Sequence, residues 1–572
     1  MFISNAEIAS IFTQMADLLE IRGEDPFKTR AYRNAARTIE NLGTDLAKMV
    51  EAGEDISKLP TIGERIANKI REIVQTGRLA KLEYLKHAFP PHLLDLLKVE
   101  GIGPKRAKIL YQELHIGSLD ALKKAAEAHK ISQLKGFSEK LEKKILKGTL
   151  LAKKEGKRFL YAIAEPYADA LEKYLKSFGE AEQVTVAGSF RRRKETVGDL
   201  DILATSKEPS ALIDYFVKYP DIRKIISQGD TRSTVILRNE MQVDLRCVHE
   251  ESYGAALHYF TGSKSHNIAI RIMARDMGMK VNEYGVFKGE KKIAGATEAE
   301  VYESVGLRYI EPELRESRGE HTAAKEDRLP KLIEIGDLKG DLHMHTTYSD
   351  GHNTILEMTE AAKEMGYSYI TITDHSKHMA IVHGLDEKRL RRQIEEIDKI
   401  NERLKGITIL KSIEVDILED GSLALPDSVL KELDLVVAAV HDKFNLSQKV
   451  QTQRILKALE NPYVKILAHP TGRLIGEREP YRVSMKKLFE GVKNNGCFLE
   501  INAQPKRLDL KDIYIQRAKE AGVRFVISTD AHNKASLAYM KYGIYQARRG
   551  WLEKKDVLNT LSLSSFKKAL KR

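Results

Sequence analysis

Residues 187–203 read Ala187-Gly188-Ser189-Phe190-Arg191-Arg192-Arg193 and then, past a short gap, Gly198-Asp199-Leu200-Asp201-Ile202-Leu203. The apolar residues around Asp199 and Asp201 predict a strand, and a two-residue spacing on a strand turns both carboxylates to one face. Two such carboxylates can bridge a pair of Mg²⁺ ions, with Mn²⁺ as a substitute, that activate a primer 3′-hydroxyl and steady a leaving pyrophosphate. A third should come from a neighbouring strand. Residues 233–238 and 241–248 predict a hairpin around Asn239-Glu240 whose second arm carries Asp244. Gly188 and Ser189 open a helix whose free N–H groups can meet triphosphate oxygens, with Arg192 adding charge. A lone Asp-x-Asp is common on protein surfaces. Gly-Ser, eight residues, Gly and Asp-x-Asp, followed by a later strand aspartate, is far more specific and points to nucleotidyl transfer. The acceptor stays open on these residues alone, because nucleotidyltransferases also modify antibiotics and RNA ends.

Outward from this core the chain changes character three times. Residues 1 to about 150 read as short helices with apolar residues three and four apart, such as Ile8, Ile11, Met15, Leu18 and Leu19. Strand patterns begin near 180. Residues 312–337, rich in Glu, Arg, Lys and Ala and including Pro330, read as a charged linker. From 338 onward short apolar strands alternate with amphipathic helices, the rhythm of an α/β barrel or layered sheet. At 572 residues the chain requires several hydrophobic cores, and its 42% apolar content supplies them.

The net charge of +12 favours a polyanionic partner. Cys247 and Cys497 are too few and too far apart for a disulfide framework and suit buried thiols in a reducing cytoplasm. The N-terminus, Met1-Phe2-Ile3-Ser4-Asn5, lacks a signal-peptide pattern, and no apolar run approaches the roughly 18 residues of a membrane span. A soluble protein working at the nucleoid, without a membrane partner, is the expectation.

Three glycine turns share one layout: Leu59-Pro60-Thr61-Ile62-Gly63, Val99-Glu100-Gly101-Ile102-Gly103-Pro104 and Leu134-Lys135-Gly136-Phe137-Ser138. Each ends one helix and starts another bearing Lys or Arg, so a phosphate can bind the new helix end without base readout. The layout resembles the helix-hairpin-helix motif. In the third copy Ser138 replaces the second glycine.

With these motifs in place, residues 1 to about 318 resemble the family X DNA polymerases, polymerase beta among them. The carrying residues are the aspartates above, Tyr259-Phe260-Thr261-Gly262-Ser263, and Asn267, Arg271 and Asn282-Glu283-Tyr284 at the family's spacing. The resemblance implies that Tyr259, Phe260 and Gly262 line the nucleotide sugar and reject a ribose hydroxyl. It also implies that Asn267 reads the minor-groove edge, that Gly188, Ser189, Arg192 and Gly198 hold the nucleotide, and that Arg246 and Arg271 contact the template. Lys28, Tyr32, Gly63, Arg65, Gly101 and Gly103 would touch the DNA backbone, and Lys69 falls where the family places the amine that forms a Schiff base with an abasic sugar. The sequence departs from polymerase beta at Lys264, where that enzyme has an acidic residue, and at Gln242, where it has arginine. The implied partners are gapped or nicked DNA and dNTPs, acting on a monomer.

The last third carries Asp341-Leu342-His343-Met344-His345, continuing to Ser349-Asp350-Gly351, with His343 and His345 alternating onto one face. Further strands end in Asp374-His375, Glu414, His441, His469-Pro470 and Asp530-Ala531-His532. Residues 338–572 hold nine of the 17 histidines, close to their share of the length, so position rather than number matters. Six of the nine follow or flank strand ends, whereas structural histidines would be scattered. The other three, His352, His378 and His383, read as surface or supporting residues, and Arg473 and Lys506 as possible DNA grips or solvated cations. This region resembles a PHP domain (polymerase and histidinol phosphatase), a distorted (β/α)₇ barrel with a trinuclear metal site. The resemblance fills all nine ligand positions: His343, His345, Asp350, His375, Glu414, His441, His469, Asp530 and His532. Mixed imidazole and carboxylate donors suit Mn²⁺ or Zn²⁺. The implied activity is 3′→5′ exonuclease with 3′-end and abasic-site processing.

The expected fold is multidomain α/β. It comprises a lyase-like helical domain (1–85), a helix-hairpin-helix domain (86–150), a nucleotidyltransferase palm (151–255), a thumb (256–318), a linker (319–337) and a PHP domain (338–572). The expected function is gap filling in base excision repair. The competing reading is a DNA-binding repair scaffold whose inactive PHP domain supports the polymerase.

Overall fold

The structure, a computed structural model, describes every residue except Met1, Phe2, Ser4, Asn41, Gly43, Glu100, Gly156, Lys157, Met379 and Arg572. The signal-peptide reading at Met1, Phe2 and Ser4, and Glu100 of the second glycine turn, thus lie outside the described residues. The chain forms two compact units, Met1–Leu329 and Pro330–Arg572. Among the described residues no helix is long and apolar enough to cross a membrane. Both cysteines are buried and free.

The first unit begins with helices whose three- and four-residue apolar spacing buries one face. Ile8, Phe12, Met15 and Leu19 of the helix Asn5–Arg22 pack with Ile39, Ile66 and Ile70. A second core gathers Leu93, Leu96, Leu110, Leu122, Ile131 and Ile145. A five-stranded mixed sheet follows, ordered Ala181–Val186, Asp199–Ser206, Gln242–Val248, Arg232–Leu237, Ile222–Gln228. Its central pair, 199–206 with 242–248, is parallel, and the other pairs are antiparallel. Along Gln242–Val248 the period-two pattern is clean: Val243, Leu245 and Cys247 are buried, while Gln242, Asp244 and Arg246 take the other face. The helices Tyr253–Thr261 and Lys264–Asp276 lead to a three-stranded antiparallel sheet and the helix Glu298–Ser304.

The segment expected to be a charged linker is folded. Residues 320–325 form a helix, and Arg315, Glu320 and His321 are buried. Arg315 Nη1 donates to Glu298 at 2.7 Å, and Glu320 accepts from His266 Nδ1 at 2.9 Å and from the Ser317 and Arg318 amides. Composition misleads here because an ion-rich stretch reads as solvated until its partners, 17 to 54 residues upstream, are known.

In the second unit every named strand pairs in parallel and in sequence order. Gly340–Asp341, Tyr369–Ile372 and Thr408–Lys411 form one sheet, and Glu414–Asp416, Val436–Ala439, Val464–Leu467, Phe498–Asn502 and Phe525–Ser528 another. The bridge His375–Glu414 links the sheets, and Met344–Ala531 sets the end of the last strand beside that of the first. Leu342, Tyr369, Leu410, Val437, Ile466, Phe498 and Val526 fill the interior with Phe566 and Leu570 of the C-terminal segment. All strands run the same way, so their C-terminal ends meet at one rim.

Candidate active sites

Asp199 and Asp201 lie on one strand and Asp244 on its parallel neighbour, in register with Asp201. Each offers an oxygen within 4.8 Å of the others. Burial, reinforced by the Asp199 and Asp244 charges, pushes the Asp201 carboxyl up to about 7. Burial and Asp244 also raise Asp199. Asp244 is held by Thr234 Oγ1, by Gln242 Nε2 at 2.7 Å and by Arg232 Nη2 at 3.5 Å. Three carboxylates converging on one point are the donor set that hard divalent ions require. Gly188 adopts φ +60°, and a Cβ there would collide with the Asp201 carboxylate, so the turn closes on the acids only with glycine.

Several of the expected nucleotide residues are tied together by contacts within this unit. Arg192 donates to the Thr261 carbonyl and to Glu316 at 3.1 Å, joining the helix Gly188–Arg191 to the turn at Gly262. Glu316, which sequence reading did not single out, therefore offsets part of the Arg192 charge. The Tyr259 and Phe260 rings meet edge to face at 5.1 Å. Arg246 lies 4.7 Å over Phe260, Arg271 lies 5.9 Å over Tyr259, and Asn267 Nδ2 donates to the Tyr259 carbonyl at 2.7 Å. Glu298 takes Arg191 and Arg315 together, and those cations hold its carboxyl down to about 2 against the opposing effect of burial.

Gly63 and Gly103 cap the helices Glu64–Thr76 and Pro104–Leu114 without any side-chain bond, which leaves first-turn N–H groups open to an anion. Gly101 sits at φ +91°, and Thr61 takes the equivalent left-handed place in the first turn at φ 64°. In the third turn Ser138 Oγ accepts the Leu141 N–H at 3.2 Å, so that helix end caps itself. Arg65 is exposed on the first of these helices. Lys69 Nζ donates to the Arg65 carbonyl at 3.1 Å, and burial together with Lys81 lowers its amine below the usual lysine range. Lys28 is paired with Glu24 at 2.8 Å. Tyr32 departs from expectation: its ring is buried against Phe12, 5.8 Å away, and belongs to the core rather than to a DNA-facing surface.

At the rim of the second unit eight of the nine expected ligands converge in three overlapping groups: His345, Asp350, His375 and His532; His343, His345 and Asp530; His375, Glu414 and His441; the ninth, His469, joins them through Glu414. Glu414 is central. Its Oε1 lies 2.9 Å from His469 Nε2 and 3.2 Å from His441 Nε2, and its Oε2 lies 2.9 Å from His375 Nδ1. Burial opposes charge on His441 and His532, yet Glu414 and Asp416 push His441 up to about 10, and Asp350 and Asp530 push His532 up to about 9. His345, buried among His532 and His375, falls to about 3. His343 Nε2, both nitrogens of His345, His375 Nδ1 and Glu414 Oε2 are buried without a hydrogen bond, as lone pairs aimed at cations would be.

Two supporting carboxylates escaped the sequence reading. Glu500, fully buried, accepts from His343 Nδ1 at 2.7 Å and from the His469 amide at 2.6 Å. Asp416 accepts from His441 Nδ1 at 2.8 Å. Each fixes an imidazole so that its other nitrogen faces the cluster. An acid inside the apolar run Phe498-Leu499-Glu500-Ile501 was the available signal for the first, and period two from Glu414 for the second. His352 and His383 are exposed, and His378 bonds Asp442 at 3.2 Å. Arg473 is buried and donates to the Leu508 carbonyl, and Lys506 pairs with Glu477 at 2.7 Å.

Comparison with known proteins matches this layout module by module. Family models describe a helix-hairpin-helix domain over residues 3–79 and a SAM-like helix-hairpin-helix tandem over 93–148. Others describe a DNA polymerase beta palm over 163–252, a DNA polymerase beta thumb over 256–316 and a PHP domain over 341–504. A probable phosphatase of Thermoanaerobacter sp. (strain X514) is 31% identical over 232 residues, 38% of this chain and 89% of that protein. DNA polymerase lambda of Arabidopsis thaliana is 23% identical over 355 residues, 54% of this chain and 62% of that protein. The DNA polymerase/3′-5′ exonuclease PolX of Bacillus subtilis (strain 168) is 41% identical over 571 residues, 99% of each chain. A likeness sustained from one end to the other at that level decides membership: the chain belongs to the family X DNA polymerases that carry a PHP domain.

Proposed function

We propose that this chain is a DNA-directed DNA polymerase that fills short gaps during base excision repair and a 3′→5′ exonuclease that trims 3′ ends. The observation that carries the reading is the register of Asp201 opposite Asp244, which converges three carboxylates at one point. Mg²⁺, with Mn²⁺ as a substitute, is the ion we assign to Asp199, Asp201 and Asp244, and it supplies hydroxyl activation and charge neutralisation there. Gly188, Ser189, Gly198 and Arg192 face the triphosphate of a dNTP. Tyr259, Phe260 and Gly262 bound the sugar, Asn267 reads the minor-groove edge, and Arg246 and Arg271 lie along the template. Gly63, Arg65, Gly101, Gly103 and Lys28 hold the backbone of gapped or nicked DNA. Lys69, with its lowered amine, is the nucleophile toward an abasic sugar.

In the second unit, the nine ligands hold Mn²⁺ or Zn²⁺, which supplies an activated water and offsets phosphate charge. Glu500 and Asp416 orient the imidazoles, and the rim admits a 3′ end or an abasic site. We assign the protein a monomeric state and a place in the cytoplasm, at the nucleoid. Extension of a one-nucleotide gap with Mg²⁺ and shortening of a labelled 3′ end with Mn²⁺ test the two halves separately. Wild-type protein that binds gapped DNA yet extends nothing returns the chain to the scaffold reading.

A further inference from the structure

Arg507 does not belong to the ligand set, yet it stands against it. It follows the strand Phe498–Asn502 in a loop fixed by its own N–H, which donates to the Gln504 carbonyl at 2.8 Å. Its Nε lies 3.3 Å from Asp530 Oδ2, an oxygen that also accepts from Asn502 Nδ2 at 3.1 Å. The other oxygen, Asp530 Oδ1, points inward to His345 Nε2 at 3.2 Å. One carboxylate is thus divided, with Oδ1 for the cluster and Oδ2 for Arg507. That contact runs through Nε, and among the described residues no hydrogen bond engages Nη1 or Nη2. The side chain keeps about 20% of its surface open, against 7% for Asp530.

A second guanidinium approaches from the neighbouring turn. The Ile475 N–H donates to the Lys506 carbonyl at 2.6 Å, which ties the turn Leu474–Arg478 to the Arg507 loop. Arg478 lies 4.1 Å over the Phe444 ring and donates Nε to the Gly472 carbonyl at 2.9 Å. Burial and the nearby charge of Arg507 both disfavour its protonated form, so the two cations feel each other. Asp509, whose charge favours the protonated form of Arg478, is already engaged by the Thr471 hydroxyl and amide. Two cations held together beside a metal-ligand cluster form a place for an anion.

Building on the exonuclease reading, we propose that Arg507 grips a non-bridging oxygen of the scissile phosphodiester through Nη1 and Nη2, with Arg478 adding a second charge along the same strand of DNA. Hydrolysis adds a water oxygen to phosphorus and breaks the bond to the 3′ oxygen of the preceding nucleotide. That oxygen takes a proton, and a nucleoside 5′-monophosphate leaves. Charge grows on the non-bridging oxygens along this path, where Arg507 meets it. Arg507 is thereby a catalytic residue.

The test uses full-length protein, Mn²⁺ and single-stranded oligonucleotides whose terminal linkage is either native or an uncharged methylphosphonate, with His343→Ala as background. Arg507→Gln should lower kcat/KM on the native strand on the order of 10²-fold, as loss of one donor to a developing oxyanion does. It should also erase most of the wild-type preference for the charged linkage. Arg507→Lys should recover part of both, and Arg478→Gln should act mainly on KM. Bound Mn²⁺ and gap filling should stay at wild-type levels. Arg507→Gln that keeps the full preference for the charged linkage, or that loses Mn²⁺ in step with activity, overturns the proposal and leaves only a positioning role. Wild type without His343-dependent degradation overturns the exonuclease reading, and this proposal with it. Wild-type degradation that is indifferent to Arg507→Gln overturns the proposal alone.

Discussion

In the first unit three carboxylates of like charge meet on two neighbouring strands; in the second, carboxylates and imidazoles interleave through a buried cluster. The first set repels itself, and burial with mutual charge raises Asp201 to about 7. The second set pairs internally: His441 and His532 are pushed up to about 10 and about 9, while Glu414 is driven well below its usual range. The lesson is that a site built from carboxylates alone leaves its charge to be offset by the ions it binds. A buried site of nine ligands must carry its own compensating charges.

The largest effect comes from breaking one site at a time. Asp201→Ala should abolish gap filling by on the order of 10³-fold or more, because several kcal/mol of cation-derived stabilisation disappear. Degradation of 3′ ends should persist in the same sample. His343→Ala should do the reverse, measured with the same labelled primer. Parallel loss of both activities in either variant would mean that the sites are not separable.

A third buried charge group, Arg191–Glu298–Arg315, sharpens the contrast because its carboxylate is met by two guanidinium groups of the chain itself. Glu298→Ala leaves Arg315 fully buried and unpaired, and should cost about 3–5 kcal/mol of stability by denaturant unfolding. A loss under about 1 kcal/mol would show that water repairs the gap.

Support around the second cluster comes next. Glu500→Gln removes the charge and one of the two oxygens that accept from His343 and the His469 amide, and should weaken Mn²⁺ binding about 10- to 100-fold without touching Mg²⁺-dependent extension. Metal content after dialysis against a chelator reads this directly.

The smallest effect is a pH dependence that differs between the sites. The raised Asp201 carboxyl holds its proton more tightly folded than unfolded, so ionising it penalises the metal-free fold as pH rises from about 4 to about 7. Mg²⁺ competes with that proton, so its apparent affinity should improve up to about pH 7 and then level off. In the second cluster protons remain on His441 and His532 to about 10 and about 9, and a cation must displace them. Mn²⁺ affinity should therefore keep improving between about pH 7 and 9, by at most about tenfold per unit for each proton displaced. Identical profiles for the two activities would remove the distinction drawn here.

The sequence by itself determined the chemistry of both sites, because ligands on strands obey a period of two and stop at strand ends. Asp199 with Asp201, His343 with His345, and the acids and histidines that terminate later strands were legible for that reason. The glycine turns were legible too, since a left-handed residue followed by an uncapped helix start leaves a local signature at Gly101 and Gly103. Only the tertiary structure decided which supporting groups complete them. Glu316 against Arg192, Glu500 against His343, Arg315 against Glu298 and the burial of Tyr32 all join residues that local sequence cannot pair. The supposed linker shows the same limit, since its charges look solvated in sequence and are buried in the fold. The physical reason is range. Backbone periodicity and turn strain act over a few residues and are written locally, whereas the partner of a buried charge is set by packing between segments that meet only after folding.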